Sequence, residues 1–163
     1  MTNLQLSEHF NLSEFERSAT AEKFNIDNSC PSQYIPVLQQ LCKTILEPLR
    51  QHFGEPVIIS SGYRSPTLNI RVGGVYASQH TLGEAADIVP LPPAGSWLVS
   101  LSNHNQRQTP HSLKEWFDWL KGNTDFDQLI LEHDSKGSYW IHVSCRKNRK
   151  ANRHQVFYDL KKK

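Results

Sequence analysis

The sequence predicts an α+β fold, a small antiparallel sheet with helices packed on it. Three observations lead there. Apolar residues recur at three and four through 33–53, with Tyr34, Leu38, Leu41, Ile45, Leu49 and Phe53 on one stripe. Two strand-like runs, 127–132 and 138–145, are joined by Asp134-Ser135-Lys136-Gly137, a hairpin signal. Helical patterns come first and paired strands later, with no alternation of strand and helix.

Each element has its own local reason. Residues 10–18 read as a short helix, capped by Asn11 or Ser13, with Phe10, Leu12 and Phe15 facing the core. A polar loop is expected over 25–31. The helix over 33–53 contains Pro48, which should bend or divide it, and Gly54 stops it. Residues 56–61 form a β-branched strand ended by Gly62, and 66–70 a helical turn. Gly73-Gly74 permits a tight turn. Residues 87–89 read as a strand with Asp87 at its start. The stretch 91–110 carries three prolines and many amides; it reads as a lid or substrate wall with a short helix near Trp97 to Leu101. Ser112 with Glu115 three later is a capping box for a helix over 112–121, whose apolar face is Leu113, Trp116, Phe117 and Leu120. An edge strand is expected over 155–158.

The bulk numbers exclude several classes. The chain has 163 residues, enough for a single domain over 1–163 with a basic C-terminal tail from about 147. It is 37% hydrophobic and 21% charged, so disorder is not the default. A net charge of +2 is too small to argue for nucleic acid. Cys30, Cys42 and Cys145 are an odd count without a Cys-x-x-Cys, which points to reduced thiols. No apolar run reaches membrane-spanning length and no leader is visible, so the expectation is a monomer made in the cytoplasm, with no membrane partner.

The chemistry gathers at Ser78-Gln79-His80-Thr81-Leu82-Gly83-Glu84-Ala85-Ala86-Asp87. His80 and Asp87 are seven apart, which on a short helix puts both on one face. Imidazole and carboxylate are common zinc ligands, and His142, in Trp140-Ile141-His142-Val143-Ser144, offers a third. Three protein ligands with an open fourth position describe a catalytic zinc site better than a structural one. Other divalent ions would also accept this donor set. Lone histidines such as His9 and His133 are more often structural than ligating. His104 and His111 read as solvent-facing, and Cys145 as a buried strand residue.

Those residues carry a resemblance. Ser61-Gly62-Tyr63-Arg64-Ser65, Asn69, Val72-Gly73-Gly74, Ser78-Gln79-His80 through Asp87-Ile88, Gln128-Leu129-Ile130-Leu131-Glu132 and Trp140-Ile141-His142-Val143-Ser144 occur in order. In this the chain resembles the M15 zinc peptidases, the D-alanyl-D-alanine carboxypeptidase family, especially its short phage and bacterial branch. The resemblance runs from about Leu6 to Ser144, and the metal architecture is also similar to that of hedgehog signalling domains. It implies one zinc ion per chain on His80, Asp87 and His142, and a peptide of peptidoglycan as substrate. It implies that Arg64 assists substrate binding and catalysis; taken alone, Arg64 would read as a surface salt bridge.

The resemblance also points to Glu132 as the general base, on the strand paired with that of His142. Glu84 and Asp134 are weaker rivals. Two departures stand out. The local Glu-x-x-His form is absent, since Tyr139 holds that position, and Trp140 stands where some members carry a histidine. Ser78 and Asn69 are each either a hydrogen-bonder near the metal segment or a loop cap, and the resemblance implies that Tyr63 and Trp140 either bind substrate or support the residues that do. The rival from another class is a zinc-stabilised binding module without catalysis. A phage or prophage product delivered to the cell wall fits the size of the chain. The bond cut is either the D-Ala-D-Ala bond or the L-Ala-D-Glu bond.

Overall fold

One face of a five-stranded sheet holds the apolar core and the other holds the polar centre. The computed structural model describes residues 3–91 and 111–162. The expectations for a lid over 91–110, a helix near Trp97 and a solvent-facing His104 lie outside the described residues.

Strands β1 (Val57–Ser61), β2 (Ala85–Pro90), β3 (Gln128–His133), β4 (Tyr139–Ser144) and β5 (Gln155–Lys161) are ordered β1-β2-β4-β3-β5. The pairs β1–β2, β2–β4 and β3–β4 are antiparallel. β5 runs parallel to β3, so the sheet is mixed, and the expected edge strand is longer than 155–158. Alternation along the strands explains the two faces. Ile59, Ala86, Ile88, Leu129, Ile141 and Val143 point into the core, while Asp87, Glu132 and His142 leave the opposite side.

Among the described residues the α-helices are α1 (Leu12–Glu16), α2 (Ala19–Phe24), α3 (Ile35–Leu41), α4 (Glu47–Phe53), α5 (Pro66–Arg71) and α6 (Leu113–Asn123). The stripe over 33–53 is buried as expected at Leu38, Leu41, Ile45 and Leu49. Pro48 does divide this segment. Between α3 and α4, Cys42–Leu46 widens to a π turn, with the Glu47 N–H bonded to the Cys42 carbonyl. Pro48 has no N–H to give the carbonyl four residues back, and the wider turn accommodates that loss. α6 is capped by the Ser112–Glu115 box and buries Trp116, Phe117 and Leu120. α2 was not expected, for it buries only Ala21 and carries no apolar stripe.

The polar loop after α2 is a fastener. Asn28 is buried; its Nδ2 donates to the carbonyls of Glu16 and Tyr63, and its Oδ1 accepts from the Ser65 N–H at 2.7 Å. This ties the N-terminal helices to the loop that carries Arg64.

Candidate metal centre

β2 and β4 meet at Asp87 and His142, which stand directly opposite one another. Their side chains therefore leave the same face. Asp87 is the third residue of its strand, one turn of the pleat further in than the expected start. His80 arrives from outside the sheet, on a tight 3₁₀ turn, Gln79–Leu82. No helix spans 80–87, so a shared helix face is not what brings His80 and Asp87 together. Gly83 takes φ 68°, a left-handed conformation that costs an L-residue roughly 1–2 kcal/mol, and the chain turns into β2. The two ligands converge because a turn folds back onto a strand.

Three atoms come together. His142 Nδ1 lies 2.9 Å from Asp87 Oδ1, and His80 Nε2 lies 3.2 Å from each of them. Ligands held at 2.0–2.1 Å by a tetrahedral zinc are separated by roughly 3.3 Å. The donor set and its spacing thus fit one face of a zinc tetrahedron, and all three residues are buried.

The surroundings prepare these ligands. His80 Nδ1 lies 2.7 Å from the Gly62 carbonyl oxygen. A carbonyl only accepts, so Nδ1 carries the hydrogen and Nε2 turns its lone pair to the cluster. Gly62 is required by close approach, since a Cβ there would stand 2.5 Å from the Phe15 Cα. Arg64 Nη2 donates to Asp87 Oδ2 at 2.9 Å, and its Nε donates to Ser61 Oγ at 2.9 Å. An irregularity in β1 between Ile59 and Ser61 brings Ser61 opposite Asp87 for this purpose. Burial pushes the His80 imidazole below its ordinary value, and the Asp87 charge offsets only part of that. Burial alone would raise the Asp87 carboxyl, but the adjoining His80 and His142 rings hold it well below the usual range. A neutral imidazole and an ionised carboxylate are the forms that ligate metals.

A cavity of about 610 Å³ opens on this cluster, lined by His80, His142, Arg64, Glu132, Glu84 and Lys162 among others. Glu132 sits opposite Trp140, two residues along β4 from His142 and so on the same face. It is 1% exposed. Trp140 Nε1 donates to its Oε2 at 2.7 Å, and Lys162 Nζ lies 3.0 Å from its Oε1. Trp140 thus acts on Glu132.

A family model described as Peptidase M15 matches residues 8–113. The chain belongs to the peptidase M15 family. The match takes in Arg64, His80 and Asp87, while Glu132 and His142 lie beyond its end. No curated protein matches the chain. The M15 assignment makes it a member of a family of hydrolases, and its His-Asp-His cluster is compatible with a metal ion.

Several other candidates of this M15 chain hold loops and turns. Ser78 lines the cavity, but its carbonyl, not its hydroxyl, serves the turn, accepting from Thr81 N and Oγ1. Asn69 is a loop fastener: buried, it donates from Nδ2 to the Val75 carbonyl at 2.9 Å. Tyr63 is 3% exposed and packs on Tyr34, away from the cavity around the cluster. Burial raises its phenol. Glu84 accepts from the Lys147 N–H and from Gln79 Nε2. Asp134 closes the β3–β4 turn by accepting from the N–H groups of Lys136 and Ser138.

His9 pairs with Glu47, His133 stacks on Tyr139, and His111, half-exposed, pairs with Glu55. All three cysteines are free and buried. Lys162, at the cavity, was not foreseen; inside a basic run it reads as tail. Among the described residues no helix is long and apolar enough to cross a membrane.

Proposed function

We propose that the chain is a zinc peptidase, one catalytic domain over 1–163, that hydrolyses peptidoglycan stem peptides. The observation that carries this reading is the cluster of His80, Asp87 and His142 beside a cavity that His80 and His142 line together with the buried carboxylate of Glu132.

His80, Asp87 and His142 would hold the metal. Zinc bound there supplies an activated water and a polarised scissile carbonyl. Glu132 takes the proton of the attacking water and hands it to the leaving amine. Trp140 keeps Glu132 aimed by occupying one of its oxygens. Arg64 has two duties: its Nη2 orients Asp87, and its cavity-facing edge receives a substrate carboxylate or carbonyl. The mature protein works as a monomer on the cell wall, as a phage or prophage product would.

Muropeptide digests read by mass spectrometry test the reading. Loss of a terminal D-alanine, blocked by chelator and restored by zinc, makes the protein a carboxypeptidase. Cleavage between L-Ala and D-Glu makes it an endopeptidase. No cleavage by zinc-loaded protein overturns the proposal in favour of a binding module.

A further inference from the structure

β5 follows β3 residue for residue at first, with Gln128, Leu129 and Ile130 beside Gln155, Val156 and Phe157. The register then breaks. Glu132 stands beside Leu160, so β3 takes two steps where β5 takes three. The extra residue is accommodated around Asp159, whose φ is 53°.

The break decides which side chain meets Glu132. Under plain alternation Asp159 would stand beside Glu132, and Lys161 would come next on that face. Two carboxylates would then share the cavity wall. With the bulge, Leu160 takes the place beside Glu132, and Lys162 enters the cavity with its ammonium 3.0 Å from Glu132 Oε1. Asp159 passes to the other face, 3.6 Å from His133 Nε2, and accepts from the Tyr139 hydroxyl at 3.4 Å. The Lys162 N–H, bonded to the His133 carbonyl at 2.8 Å, fixes the backbone behind it. Bulges beside active sites re-aim side chains, and a non-glycine residue at positive φ persists where its surroundings dictate it.

We infer that Lys162 is a positioning residue of the site: it holds the Glu132 carboxylate by its second oxygen and balances its charge, while Trp140 holds the first. A buried carboxylate without a partner cation is strongly disfavoured, and Lys162, half-exposed, keeps its own hydration while serving Glu132. This rests on the reading of Glu132 as the base.

The test uses the full-length chain. With zinc-loaded protein and the synthetic stem peptide L-Ala-γ-D-Glu-L-Lys-D-Ala-D-Ala, Lys162→Met is expected to lower kcat at least about tenfold, part of the 10²–10⁴ that a general base contributes. KM should stay within about twofold, because the contact serves the transition state and not substrate binding, and Lys162→Arg should recover most of the loss. In metal-free protein, the Trp140 indole N–H resonance is assigned by its loss in Trp140→Phe. It should shift in Lys162→Met and return in Lys162→Arg, because a released carboxylate leaves the indole. An unchanged kcat in Lys162→Met, or an unmoved indole resonance, overturns the inference. Turnover that survives in Glu132→Gln would instead overturn the base assignment, and the indole resonance then decides the Lys162 contact by itself.

Discussion

Two buried carboxylates, Asp87 in β2 and Asp127 just before β3, are satisfied in opposite ways. Asp127 is fully buried and surrounded by donors. Its Oδ1 accepts from Arg146 Nε, Arg153 Nε and the Arg153 N–H at 2.9–3.0 Å, and its Oδ2 accepts from Arg153 Nη2 at 2.6 Å. Such a carboxylate is saturated and has nothing left for a ligand. Asp87 has one guanidinium behind it, but its Oδ1 faces two ring nitrogens, and the His80 nitrogen presents a lone pair. Lone pairs converging on one point repel unless a proton or a cation sits among them. The first arrangement is a fastener; the second is a set of ligands.

Variants can break this contrast. The largest effect is expected at the cavity: Glu132→Gln should lower kcat by about 10²–10⁴ while zinc content stays at that of the wild type, checked by steady-state kinetics and metal analysis. Next comes the support behind the ligand. Arg64→Lys keeps the charge but loses the fork that spans Ser61 and Asp87, and should weaken zinc binding roughly 10–100-fold, measured by competition with a chromophoric chelator. Asp127→Ala should leave zinc binding unchanged yet destabilise the fold by about 2 kcal/mol, since two guanidiniums and a backbone N–H lose their acceptor; urea unfolding reads this directly.

The smallest effect is a pH dependence. Burial works to raise the Asp127 carboxyl, but Arg153 and Arg146 outweigh it and hold it below its ordinary value. A lowered carboxyl stabilises the fold above the ordinary value, near 3.9, and that contribution is lost as pH falls through the lowered value. The stability gap between wild type and Asp127→Ala should therefore be full at neutral pH and narrow below about pH 4. A constant gap down to pH 3 would contradict the role given to Asp127.

Much of this was legible in the sequence, because local chemistry carries it. The Ser112–Glu115 box, the turn at 134–137 and the break at Pro48 each depend on residue types at short spacing, whereas His142 joins Asp87 from 55 residues away and was picked out by its ligand chemistry. What was not legible depends on distant partners. Nothing local to β5 tells that it lies parallel to β3, and its Tyr158 and Leu160 remain exposed. Lys162 reaches Glu132 only through a register break, which residue alternation does not foresee. The spacing of His80 and Asp87 is compatible with a shared helix face, but the two meet because Gly83 turns the chain into β2. Asn69 fastens a loop, one of the two roles its type and position allow, and Tyr63 fills the core.

Calorimetric titration of zinc into metal-free wild type, Asp87→Asn and Asp127→Ala tests the contrast most directly. One zinc per chain is expected for the wild type and for Asp127→Ala, with no measurable binding to Asp87→Asn. Equal binding by Asp87→Asn and the wild type would contradict the assignment of His80, Asp87 and His142 as the metal site.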